Sequence, residues 1–434
     1  MSEKFVSSRN RVVMQSSLIT YSLRVMMKES IPSVSLLVLF IIFISGACTA
    51  DDDIAETILM DASYLLNSKT RIDKGDTMHM HAFEQLIKDA DRALEEAPYS
   101  VTDKEKLPPS GDKHDYASYS RYWWPDPSKA DGLPYIRRDG ETNPASQSTK
   151  ESDRPRIGAL GEDTETLGLA YYLTGKQKYA KKAAEFLRTW FLDEATRMNP
   201  NLNHAQCRLG HNDGYKSGVL DGRLMIRALE GSLLISGSSE LTDSEMNKLK
   251  AWAKEYYEWL TTSNLALQEA ASKNNHGSYY DLQVMYFALY AGYHDAAKQI
   301  AQDFIQDRLF SQIQSDGSMP EELARTRPLF YSIYNLHAMF LVAQLAETVD
   351  VDIWKAHEET SRLKAGLDYI VPYTDPKELW PHPTIGEVNR MELFTILQMA
   401  DRKYPGQNYL ERVEHLPIEK RKIHRANLVF PLMR

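Results

Sequence analysis

A single all-α domain built as a toroid of helical hairpins is the fold class this sequence predicts, and three observations predict it. Apolar residues recur at helical spacing through most of the 434 residues. Strand-like alternation is hard to find. Gly, Pro and Asn signals such as "TGKQ", "NPNLN", "ISGSSELTDSE" and "QSDGSMPEE" separate the helical stretches at irregular intervals. That irregularity disfavours a strictly periodic solenoid and favours an incomplete (α/α) barrel of about six to seven hairpins.

The chain opens on a different kind of segment. From Met26 it reads a lysine, an apolar run from Val34 to Ile44, and small residues ahead of Cys48. The run is too short for a typical spanning helix and suits a secretory signal. "SGAC" followed by "TADDD" resembles a bacterial lipoprotein cleavage site. Residues 1–48 are therefore expected to be a signal peptide cut before Cys48, which would carry the lipid and make the only membrane contact. The protein would be exported, periplasmic or held at the outer membrane, with residues 49–434 as its one folded domain. Acylation of Cys48 would leave Cys207 without a disulfide partner.

Helical stripes then follow in order. Ile58, Leu59, Ala62, Leu65 and Leu66 share one face, as do Phe83, Leu86, Ile87, Ala90 and Leu94. Further stripes run from Tyr179 to Trp190, from Leu249 to Leu260, and from Phe330 to Leu345. Tyr116–Arg156 breaks the pattern with prolines, glycines, clustered aromatics and arginines. A long irregular segment inside a compact domain is usually functional. Ordered, it would set Tyr122, Trp123 and Trp124 beside Arg137 and Arg138 as a wall that stacks on sugars and attracts carboxylates. A second polar loop, "NPNLNHAQCRLGHNDG", offers Gln206 and His211, and "LWPHPTIGE" brings Trp380 and His382 into a Pro-rich loop.

Composition limits the function. With 43% hydrophobic and 26% charged residues the domain is globular, and a net charge of −9 argues against a nucleic-acid binder. An acidic protein can still serve an anionic ligand through a locally basic cleft. No metal site is expected: His79 and His81 in "MHMH" lack a third ligand, and no zinc or calcium ligand series appears.

The most suggestive polar clusters are not acidic. They are "NNHGSYY", holding Asn274, Asn275, His276 and Tyr279, and "EELARTRPLFYSIYN", holding Arg325, Arg327, Tyr331 and Tyr334. A hydrolase would need a carboxylic acid pair. These groups suit β-elimination across C4–C5 of a uronic acid instead. The C5 proton is a poor acid because the adjacent carboxylate already carries charge. An amide and a guanidinium fixed against that carboxylate stabilise the developing dianion. Tyr and His can then remove the C5 proton and protonate the departing O4, if nearby positive charge lowers the tyrosine toward working pH. No metal or cofactor is required.

These motifs, with "YWWPDPSKADGLPYIRRDGETNP" and "RMNPNLNHAQ", resemble alginate lyases of the helical-toroid type from about Tyr119 to Asn335. The resemblance implies an (α/α) toroid, an anionic polysaccharide as partner, Asn275 and Arg325 neutralising the carboxylate, and His276 and Tyr331 moving protons. Arg327 competes with Arg325, Tyr334 with Tyr331, and Asn274 with Asn275. Gln206, His211, Trp123, Trp124, Arg137 and Tyr279 are expected to contact sugar. Gly277 departs from the simplest pattern and points toward lyases of other uronates. The expected activity is a lyase of 1,4-linked uronate polymers, alginate or polymannuronate first and glucuronan next. The rivals are a toroid glycoside hydrolase and a non-catalytic surface glycan-binding lipoprotein.

Overall fold

A computed structural model describes residues 54–356 and 361–433; the signal segment and Cys48 lie outside the described residues. Among the described residues fourteen α-helices run in order: α1 Ala62–Asp73, α2 Thr77–Leu94, α3 Arg154–Thr174, α4 Gln177–Leu187, α5 Leu224–Leu234, α6 Asp243–Thr262, α7 Asn264–Ala270, α8 Asn275–Tyr290, α9 His294–Phe304, α10 Pro320–Leu323, α11 Pro328–Glu347, α12 Arg362–Ile370, α13 Leu393–Lys403 and α14 Ile418–Lys422.

The sequence sorts them into two layers. α3, α5, α8 and α11 are buried around most of their circumference, and α8 leaves only His276 and Asp281 out of its buried set. A helix apolar on every side belongs inside. α4 and α9 carry one apolar stripe and bury mainly that stripe. Accordingly α3 packs on α5 and α8 on α11, while α2 and α4 cover α3, α6 and α9 cover α8, and α12 and α13 cover α11. This is the expected helical toroid. The α3–α5 approach depends on Gly231, where a Cβ would fall 2.6 Å from the Thr164 carbonyl oxygen. α11, with mean hydropathy 1.3, is long and apolar enough to cross a membrane by composition, yet 89% of that stretch is buried here as a core helix.

Tyr116–Arg156 is ordered, and short strands organise it, which the periodicity did not foresee. β1 (Ala117–Tyr119) pairs in parallel with β4 (His204–Cys207). β2 (Trp123–Trp124) and β3 (Ile136–Arg137) form an antiparallel pair, with Trp123 opposite Arg137. Both pairs lie against one end of the ring. Further along the inner helices, the buried Glu230 carboxylate on α5 accepts the backbone N–H groups of Ile58, Leu59 and Met60 and the Tyr286 hydroxyl.

Candidate active site

The inner helices share an orientation that creates the site. Arg154 opens α3, Arg223 precedes α5, Asn275 opens α8, and Tyr331 lies in the first turn of α11. All four residues line one cleft of about 500 Å³. Four helix N-termini, each worth about half a positive charge, therefore end at the same space. Seven cationic side chains line it too, against the carboxylates of Asp221 and Glu269. The acidic protein has its locally basic cleft.

The turn from α7 into α8 holds the first catalytic candidates. Asn274 is the helix cap, its side chain accepting the His276 N–H at 3.2 Å. Capping, one of the ordinary uses of Asn, thus falls to Asn274 and leaves Asn275 free of it. Asn275 turns inward to Glu322 on α10. Glu322 Oε1 accepts the Asn275 backbone N–H at 2.6 Å and Nδ2 at 3.0 Å, and Oε2 accepts Nδ2 at 2.9 Å. At those distances the two oxygens subtend roughly 45° at Nδ2, far less than the roughly 120° between its two N–H bonds. One N–H serves both oxygens and the other remains for a ligand. Burial pushes Glu322 up to about 7, against the opposing pull of the Asn275 bonds, Arg325 and His276.

His276 Nδ1 meets the buried Glu269 carboxylate in a very short contact. That partner can only accept, so it selects the tautomer with the proton on Nδ1 and leaves the Nε2 lone pair available. Arg308 braces the same turn: it forms a two-point pair with Asp281 at 2.8 and 3.1 Å and donates to the carbonyls of Ala270 and Ser272. Gly277 is explained here as well. A Cβ on it would sit 2.1 Å from the Ser272 oxygen and 2.9 Å from the Arg308 guanidinium. Its presence is a packing requirement of this turn.

Across the cleft, the turn from α10 into α11 supplies Arg325 and Tyr331. Arg325 donates to both carboxylate oxygens of Asp139, at 3.0 and 3.3 Å, and lies 3.7 Å from the Tyr331 ring centroid. The Tyr331 hydroxyl pairs with that of Tyr122 at 2.8 Å. The expectation that positive charge lowers Tyr331 is corrected: burial and the Tyr122 hydroxyl push it well up, and Arg325 opposes them only in part. At rest this hydroxyl holds its proton. Tyr334 also lines the cleft, but it is backed by Tyr279, whose ring centroid is 4.4 Å away, and faces Arg223.

Other expected contacts divide in the same way. Gln206, Trp123 and Arg137 line the cleft. Gln206 sits at φ 49°, a strained position for a residue with a side chain, held by Ser118, Ser217 and Asp221. Four others do not line it. Tyr279 is buried behind Tyr334. Arg327 reaches the Glu387 carbonyl. Trp124 turns its N–H to the Glu141 carbonyl under Arg138. His211 bonds the Tyr135 carbonyl and packs edge-on against Trp123. Trp380 and His382 also stay outside, packed with Tyr369 and Tyr373. His79 and His81 are bonded to Asp76 and the Thr77 carbonyl.

The model of the alginate lyase family matches residues 100–380. The chain belongs to the alginate lyase family. A crystal structure of an alginate lyase from Bacteroides ovatus superposes with a TM-score of 0.82 at 38% identity, covering 88% of this chain and all of that one. Alginate lyase A1-III from Sphingomonas species A1 shares the fold, with a TM-score of 0.54 at 14% identity over 90% of this chain and all of that one. A variant of that enzyme complexed with a tetrasaccharide superposes at 0.52 and 15% identity over 84% of this chain and 93% of its own. A comparison with curated proteins finds no match. As a member of this family the protein is a polysaccharide lyase.

Proposed function

We propose that this polysaccharide lyase cleaves alginate, and by the same chemistry other 1,4-linked uronate polymers, by β-elimination. The supporting observation is that Asn275 and His276, at the start of α8, line one basic cleft together with Arg325, in the turn before α11, and Tyr331, in its first turn. The free N–H of Asn275 and the Arg325 guanidinium hold the C5 carboxylate and draw off charge as the C5–H bond breaks. The electron pair forms the C4–C5 double bond, the bond to O4 breaks, and Tyr331 protonates O4. A new non-reducing end with an unsaturated sugar and a new hydroxyl end result. No step calls for a metal.

The base depends on the epimer at C5. In guluronate the C5 proton and O4 lie on opposite faces, so His276 Nε2 takes the proton while Tyr331 delivers its own. In mannuronate and glucuronate they share a face, and Tyr331 must lose a proton before it can give one. The protonated resting state of Tyr331 and the Glu269-fixed tautomer of His276 suit the first route directly. We further propose export with a lipid anchor on Cys48, on the strength of "SGAC" after the apolar run.

Ultraviolet absorbance of the conjugated product on polymannuronate, polyguluronate, glucuronan and chondroitin tests the reaction. Tyr331→Phe is expected to remove turnover on every active substrate while polymer binding persists, and His276→Ala to remove guluronate cleavage first. Normal turnover by Tyr331→Phe rejects the assignment. New reducing ends without absorbance would mean hydrolysis.

A further inference from the structure

We infer that the cleft carries a second carboxylate subsite, centred on Arg208, that reads a uronate unit away from the bond being broken. The inference rests on the lyase reading above and extends it to a position with no part in proton transfer.

Arg208 is half-buried and has no carboxylate partner among the described residues. Its guanidinium is sandwiched between two rings, 3.1 Å from the Tyr215 centroid and 4.5 Å from that of Trp123. Its other polar contacts are with the Tyr215 side chain and, at 3.4 Å, with the Ser120 hydroxyl, neither of which is a counter-ion. A guanidinium withdrawn from water without a counter-ion is costly, and here burial, helped by the nearby Arg137, disfavours its charge against the opposing pull of Tyr215. Three other cleft arginines are already compensated: Arg154 by Asp221, and both Arg325 and Arg137 by Asp139. An incoming carboxylate would therefore give Arg208 the counter-ion that those three already have.

The backbone adds a second arginine. The Ser120 N–H donates to the Cys207 carbonyl at 3.0 Å, extending the β1–β4 pairing so that Arg121 and Arg208 leave neighbouring strand ends. Both line the cleft, with the Trp123 ring beside them. Two guanidiniums, an aromatic face and a hydroxyl form a receptor for a carboxylate on a pyranose ring. The plane of the stacked guanidinium permits two-point binding that a lysine could not reproduce.

Binding measured by calorimetry on the Tyr331→Phe protein tests this without turnover. Adding Arg208→Met should weaken a mannuronate oligomer about tenfold, and Arg208→Lys should recover only part of that. A carboxyl-reduced oligomer should bind both backgrounds equally. In the otherwise native enzyme, Arg208→Met should raise KM with kcat within about twofold. Equal affinity for the acidic oligomer, or an equal loss for the reduced one, overturns the subsite. A fall in kcat at unchanged KM would place Arg208 at the reacting centre and overturn it too. Carboxylate-selective binding by a protein that forms no unsaturated product would keep the subsite and sink the lyase reading. Product formed with no Arg208 effect would do the reverse.

Discussion

Glu322 shows how one buried carboxylate couples stability to the site. It must accept from the Asn275 backbone and side chain, so it stays acceptor-rich and fixes which end of the amide faces the cleft. Its folded value of about 7 lies above the ordinary 4.5. Between those values the native state binds more protons than the unfolded chain, so stability falls as pH rises through 7. Below about pH 4.5 that contribution is fully present. Glu322→Gln removes the charge that burial penalises, so its Tm relative to the parent should improve from about pH 5 to about pH 8. A pH-independent difference in thermal melts would contradict this. The same variant lets Gln donate to the Asn275 carbonyl and turn the amide, and kcat should drop roughly tenfold, read from initial rates.

On the level of elements, the α7–α8 turn is a packed joint rather than a loose loop. Arg308 and the Ser272 carbonyl press against Gly277, leaving no room for a methyl group. Gly277→Ala should cost about 1–3 kcal/mol, measured by denaturant unfolding, because backbone and a clamped guanidinium must move. The displacement would shift His276 as well. Lyase activity should therefore fall by more than the unfolded fraction explains, and full activity at the parent's stability would show the joint to be slack.

For the whole molecule, the arrangement of inner helices decides where chemistry happens. α3, α5, α8 and α11 each bring an N-terminal residue into the cleft, so their dipoles add to seven cationic side chains. A net charge of −9 would repel a polyanion at long range, yet the field inside the cleft has the opposite sign. KM for a uronate polymer should rise with salt as this attraction is screened. A salt-insensitive KM measured from initial rates would mean that the charges are not used in capture.

The all-α class and two clusters of candidates follow from the sequence alone, because helical spacing and short polar motifs are local properties. Asn275, His276, Arg325 and Tyr331 were legible as motifs, and each lines the cleft. Tertiary structure alone decided between neighbours. Arg325 rather than Arg327 lines the cleft because the turn at Thr326 points consecutive arginines apart, with Asp139 receiving one and the Glu387 carbonyl the other. Tyr279 and Trp124 were expected at the sugar and are turned away, since adjacent positions on a helix or strand face different sides. Glu269 and Arg308 carried no motif that set them apart, and nothing local tied Glu322 to Asn275 or Tyr122 to Tyr331. Glu322 is 47 residues from Asn275 and Tyr122 is 209 from Tyr331. Contacts across such separations depend on how the helices close into a ring, and no window of sequence contains them.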